Sequence, residues 1–389
     1  MLLACALSAL ALFVVHTPSA PQQFADEARS LAAGHLWLDE TYTSDVVVRD
    51  GRSYFPLPPF PALLLVPFQL VFGPRFNQVP LQAALCLLLA VLLYRLARVK
   101  GYSPGSSLWL TAAFLFGSVA IGLLVRPSSW YLSQVIAMAA LSAVLLEIET
   151  RDRAAVSGAL CGILFATRPP AALILVMLAF RQWRKPGTRR ERIARLAVLA
   201  LSAAILPAVW MGLNQARFGD PFETGYGIAV VQPNVAAVRQ LHGLWDVRYL
   251  PKNLRLYFAA GPHVVRDAGG SLAFPYATYD PEGLSLLLVA PFFLNAFRSL
   301  RLRDVYLKGL WCVVLVTLAS LLVYYHAGWV QFGPRYTADF LPLLYVLTLA
   351  GLARQELTPV QERLIAASAT LNTLLLWSYA YLRFFAPPS

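Results

Sequence analysis

The sequence predicts an all-α polytopic membrane protein, with about eleven transmembrane helices and two long outward-facing loops. Three observations carry this. Of 389 residues, 58% are hydrophobic and only 13% charged, against roughly 25% charged in a soluble domain. Apolar runs long enough to cross hydrocarbon recur along most of the chain. Lysine and arginine are concentrated in alternate loops, as positive-inside topology requires.

The expected spans lie near 2–16, 77–97, 107–125, 130–148, 154–167, 170–183, 194–213, 283–297, 309–326, 337–353 and 364–382. The first run lacks the basic flank of a signal peptide, and "TPSAPQ" places proline at two key cleavage positions, so it reads as an uncleaved helix. The segment 60–73 is apolar but too short to span. Its prolines mark it as interfacial or re-entrant.

Orientation follows from the basic residues. With the amino terminus in the cytoplasm, one set of loops holds Arg95, Arg98 and Lys100, then Arg151 and Arg153. It continues with the run from Arg181 to Arg195, then Arg298, Arg301, Arg303, Lys308, Arg354 and Arg363. The opposite side is close to neutral. The net charge of +12 is therefore a topology signal. No block of Lys and Arg interleaved with aromatics suggests a nucleic-acid partner. The four cysteines fall inside apolar runs with no metal-ligand spacing, and read as small hydrophobes.

The chain reads as a single membrane domain, 1–389, with two long outward loops, 17–76 and 214–282. All five histidines fall on the outward side or at its membrane edge, too scattered for a zinc site. Span centres are almost free of ionisable groups. Ion-coupled transporters usually carry charge at mid-membrane, so the polar chemistry here belongs to one face.

That face opens with "FADEARSLAAGHLW", where Asp26 and Glu27 precede Arg29. On a helix, Asp26 and Arg29 share a side while Glu27 diverges. A carboxylate can take the proton of an attacking hydroxyl, and arginine can hold a phosphate leaving group in a fixed fork. Acids in a first helical turn also simply oppose the macrodipole. Arginines at helix ends, such as Arg168, Arg335 and Arg126, also snorkel to the interface, and Tyr54 also suits an interfacial anchor. His326, beside "GW", also suits a hydrogen-bonded interfacial place.

Five segments together resemble the GT-C superfamily of integral-membrane glycosyltransferases, near its protein O-mannosyltransferase and aminoarabinose-transferase branch. They are the acidic motif, "GRSYFPLPPFPALLLVP", "LFATRPPAALIL", "NQARFGDPFETGYG" and "HAGWVQFGPRYTADFLPLL". The resemblance implies an inverting enzyme of a bacterial inner membrane. It would move a sugar from a polyprenyl-phosphate donor to a lipid, glycan or protein acceptor on the outer side. It casts Asp26 and Glu27 as the catalytic carboxylates, with Asp26 as the general base. Arg29, Arg168 and Arg335 would lie near the phosphate, with Tyr54, His326 and Tyr336 binding substrate. The family's lysine before the double proline is Leu57 here, with Arg52 as a candidate replacement. Metal-dependent relatives would add a divalent cation (Mg or Mn) at Asp26. A flippase or export component for lipid-linked saccharides, or a non-catalytic subunit on the same fold, are the competing readings. Product formation separates them.

Overall fold

The computed structural model describes residues 1–352 and 355–386, so Arg354 lies outside the described residues. The protein is 67% helical. It begins with α1 (Leu2–His16), followed by α2 (Gln23–Ala32), a hairpin of β1 (Val47–Arg49) and β2 (Arg52–Tyr54), and α3 (Phe60–Phe72). The bundle continues through α4 (Val79–Val99), α5 (Pro104–Leu115), α6 (Ala120–Leu124), α7 (Ser129–Thr150), α8 (Ala154–Phe165), α9 (Ile174–Arg184) and α10 (Arg189–Phe218). The second long loop contains α11 (Pro233–His242), α12 (Leu250–Phe258) and the hairpin β3 (His263–Arg266) and β4 (Leu272–Thr278). It is followed by α13 (Leu286–Val289), α14 (Val305–Leu322), α15 (Leu341–Gly351) and α16 (Pro359–Phe384).

Among the described residues, five helical segments are long and apolar enough to cross a membrane: Leu2–Ser19, Val79–Val99, Ser129–Thr150, Arg189–Phe218 and Val305–Leu322. Their burial separates hub from rim. The span of α7 is 94% buried, as expected for a helix that is apolar all round. That of α10 is 11% buried, leaving its side chains on the outside of the bundle.

Several expected spans are interrupted. The run 107–125 is α5 and α6, separated at 116–119, and the run 283–297 is α13 followed by a 3-10 segment, Pro291–Arg301. Breaking a helix inside an apolar bundle frees carbonyls that need new donors. Asn372 of α16 supplies them: its amide donates to Phe116 O at 3.0 Å and Val289 O at 2.9 Å. One side chain thus serves both breaks. The segment 60–73 folds as α3, 13 residues long with Pro67 inside it.

Helices α8 and α10 touch through glycine. A Cβ on Gly158 would run into Leu199 O, and one on Gly162 would sit 2.9 Å from Ala203 O. Glycines four apart let backbones approach this closely. Gly158→Ala is expected to lower stability by about 1–3 kcal/mol through overpacking, read as thermal unfolding of the detergent-purified protein. Gly212→Ala on α10, with no heavy atom near the added Cβ, should not destabilise.

The basic loops are knitted to one another at one end of the bundle. Lys100 pairs with Glu149 at 2.6 Å and Arg153 with Glu147 at 2.8 Å. Arg181 and Lys185 share Asp152 at 2.9 and 3.0 Å. Lys100 and Arg181 both lie over the Tyr306 ring. At the other end the two long loops clasp. Asp45 N donates to Val230 O at 2.6 Å, and Val230 N to Val46 O at 2.8 Å. All four cysteines are free; Cys5 and Cys161 are buried, whereas Cys312 faces outward from the bundle.

Candidate functional site

A cavity of about 370 Å³ opens at the end of the bundle that bears the long loops. His16 and Arg383 contribute from the ends of α1 and α16, and Asp45 from the first loop. Arg126 comes from the turn between α6 and α7, Tyr131 from the first turn of α7, Arg168 from the turn after α8, and His326, Arg335 and Tyr336 from the segment before α15. Leu57 is on the wall where the family resemblance calls for a lysine.

The cations of this wall differ in one respect. Arg168 is neutralised: its Nε and Nη2 donate to the two oxygens of Asp339 at 2.8 and 2.6 Å. Arg335 is buried, and its guanidinium lies 5.4 Å from the ring centres of both Tyr131 and Tyr336. Its Nε has no hydrogen-bond partner. Arg126, also buried, donates to Val330 O and lies against Tyr131 and Tyr379 at 5.8 and 5.5 Å. Neither Arg126 nor Arg335 has a carboxylate within 4.0 Å among the described residues. A buried cation without a counter-charge costs several kcal/mol. An incoming anion offsets that cost, and guanidinium suits phosphate. The cavity is built to take an anion.

Other wall groups are tuned by the same burial. Burial, with Arg335 and Lys252 acting in the same direction, pushes the His326 ring down to about 4, so it is neutral near pH 7. Its Nδ1 accepts from Gly328 N at 3.1 Å, which leaves the ring proton on Nε2. Burial raises the Asp45 carboxyl above its ordinary value, while Arg335 opposes the rise.

Arg168, Arg335, Tyr336 and His326 therefore meet at one cavity. The other five site residues named from sequence lie off its wall. Asp26 accepts from the Tyr42 hydroxyl and pairs with Arg29 at 3.1 Å, and burial raises its carboxyl. Glu27 forms a buried pair with Arg217 at 2.7 Å; burial raises it too, and Arg217 pulls it back. Arg29 is further engaged by Pro74 O at 3.0 Å and Glu40 at 3.7 Å. Arg52 stacks 3.7 Å over Trp37, and Tyr54 packs against Phe218. Each of these five side chains of the first loop is engaged by a neighbour in this structure. Among the described residues no group of three or more His, Cys, Asp and Glu can hold a metal ion, and an arginine occupies the flank of Asp26. That donor set does not fit a divalent cation.

Sequence reasoning left out Asp45, Asp339 and Arg383, and placed Arg126 only at a membrane edge. Asp339 lies four residues after Arg335, yet its partner is 171 residues away. No local pattern announces such a pair.

No family model matches the chain, and no curated protein matches it. Two solved structures do. ArnT from Cupriavidus metallidurans in the apo state is 17% identical with a TM-score of 0.54, over 92% of this chain and 60% of that one. The Archaeoglobus fulgidus oligosaccharyltransferase in its apo form is 15% identical with a TM-score of 0.52, over 99% of this chain and 58% of that one. The chain thus spans about three-fifths of the length of either protein. At these identities the likeness is one of backbone architecture: the chain shares the fold of these two proteins over most of its length.

Proposed function

We propose that this protein is a membrane glycosyltransferase that moves a sugar from a polyprenyl-phosphate donor to an acceptor on the extracytoplasmic side. The observation that carries this reading is the pair of buried, acid-free guanidiniums of Arg126 and Arg335 against one ring, Tyr131. The donor phosphate would lie between them. As the bond from the anomeric carbon to phosphate breaks, charge builds on the phosphate oxygens. Fixed guanidiniums stabilise that charge more than they stabilise the ground state. Attack from the face opposite the phosphate inverts the anomeric centre. The acceptor is a lipid, glycan or protein.

Topology belongs to the same proposal. About eleven crossings with a cytoplasmic amino terminus put the knitted basic loops inside a bacterial inner membrane and the cavity outside it. In a cysteine-free background, Arg190→Cys should label with an impermeant thiol reagent only after the cells are permeabilised. Leu241→Cys, highly exposed on α11, should label in intact cells. The opposite pattern overturns the orientation.

The reaction is tested with purified protein in liposomes, given a polyprenyl-phosphate-linked sugar and an acceptor. A new glycosidic product is expected. Donor crossing the bilayer without product would instead identify a flippase.

A further inference from the structure

We propose that Asp45, rather than the Asp26–Glu27 pair of the sequence motif, is the carboxylate that takes the proton from the attacking acceptor hydroxyl. This rests on the transferase reading above and names a catalytic residue within the same cavity.

Asp45 is the carboxylate on the cavity wall among the described residues; the titratable and cationic groups that share the wall include His16, His326, Arg126, Arg168, Arg335 and Arg383. The competing carboxylates lie off the cavity wall, and each has a partner of its own. Tyr42 and Arg29 cover Asp26, Arg217 holds Glu27, and Arg168 holds both oxygens of Asp339. No hydrogen bond or ion pair engages the Asp45 carboxylate among the described residues, so its oxygens remain free to accept.

The backbone supports the assignment independently. Asp45 sits at φ 58°, the left-handed region that non-glycine residues rarely adopt. It is held there by the two-way clasp with Val230 and by β1, which begins two residues later. Aspartate is among the few non-glycine residues that adopt this region readily, so the position suits it. Here the second long loop holds the first in the conformation that puts one carboxylate on the cavity wall.

The step balances. The acceptor oxygen bonds to the anomeric carbon while its proton passes to a carboxylate oxygen of Asp45. The bond from the anomeric carbon to the phosphate oxygen breaks, and its electron pair leaves with polyprenyl phosphate. The proton is then released to water.

Asp45→Asn tests this with little risk to folding, because asparagine tolerates the left-handed conformation. Two measurements on the full-length protein separate the possibilities. Transfer from a radiolabelled polyprenyl-phosphate lipid extract of native membranes is expected to fall about 10²- to 10⁴-fold, the loss typical of a missing base. Binding of undecaprenyl phosphate is expected to tighten about two- to fivefold, since a negative charge near Arg335 is gone. Asp39→Asn, exposed elsewhere in the same loop, should change neither. Wild-type transfer by Asp45→Asn, or equal losses in both variants, overturns the assignment while leaving the transferase reading intact. Wild-type protein that neither binds undecaprenyl phosphate nor transfers label overturns that reading, and this inference with it. Binding without transfer does the same.

Discussion

Replacing Arg335 with alanine is expected to weaken binding of undecaprenyl phosphate about 10- to 150-fold, the equivalent of a charge-assisted hydrogen bond worth roughly 1.5–3 kcal/mol. Transfer should slow in parallel, because the same contact carries the leaving group. Arg335→Lys should restore only part of the affinity. A lysine supplies a point charge, whereas phosphate is gripped by a planar fork. An arginine that merely snorkels would tolerate lysine fully, so complete rescue would remove Arg335 from the site. Arg168→Ala should behave differently, since it strands the buried Asp339 and lowers stability along with binding. Titrating bound lipid phosphate and recording thermal unfolding on the same preparations distinguishes the two arginines.

Arg217→Ala is expected to cost about 3–5 kcal/mol of stability, the usual penalty for leaving one partner of a buried ion pair alone. Glu27 and Arg217 have almost no exposed side chain, and the pair joins α2 to the end of α10 across 190 residues. The deficit should shrink as pH falls. Burial already raises Glu27 above its ordinary 4.5, and removing Arg217 leaves that push unopposed. The folded state then binds a proton that the unfolded state binds only at lower pH. Stability therefore rises on acidification through the raised folded value and levels off below the unfolded one. Glu27→Gln, which removes the charge rather than stranding it, should show a smaller loss and little of this pH dependence. Unfolding measured between pH 4 and 8 checks both, and a pH-independent deficit would count against a charged Glu27.

Apolar length was the most legible feature of the chain. The run expected near 130–148 is α7 (Ser129–Thr150), and that near 77–97 is α4 (Val79–Val99), because uninterrupted leucine-rich runs leave the backbone little choice. The breaks were not legible. Phe116 can leave its helix only because Asn372, far along the chain, donates to the freed carbonyl. The candidate site divides in the same way. Arg168 and Arg335 announce themselves as arginines at helix ends in a chain short of charge. What distinguishes them is Asp339, which neutralises the first and ignores the second. Asp26 and Glu27 stood out by motif, but their partners Tyr42 and Arg217 are visible only once the loops fold together. Asp45 sits in the unremarkable stretch "TSDVVV", and nothing local points to Val230 as its clasp.

The cavity draws its wall from both extremes of the bundle. His16 at the end of α1 packs edge-on against Phe384 of α16, and Arg383 stands beside it on the same wall. This stretch of wall is thus assembled from two helices that lie far apart in the sequence. Because α16 also brings Tyr379 against Arg126, a lesion that detaches α16 should open the cavity even with Arg126 and Arg335 intact.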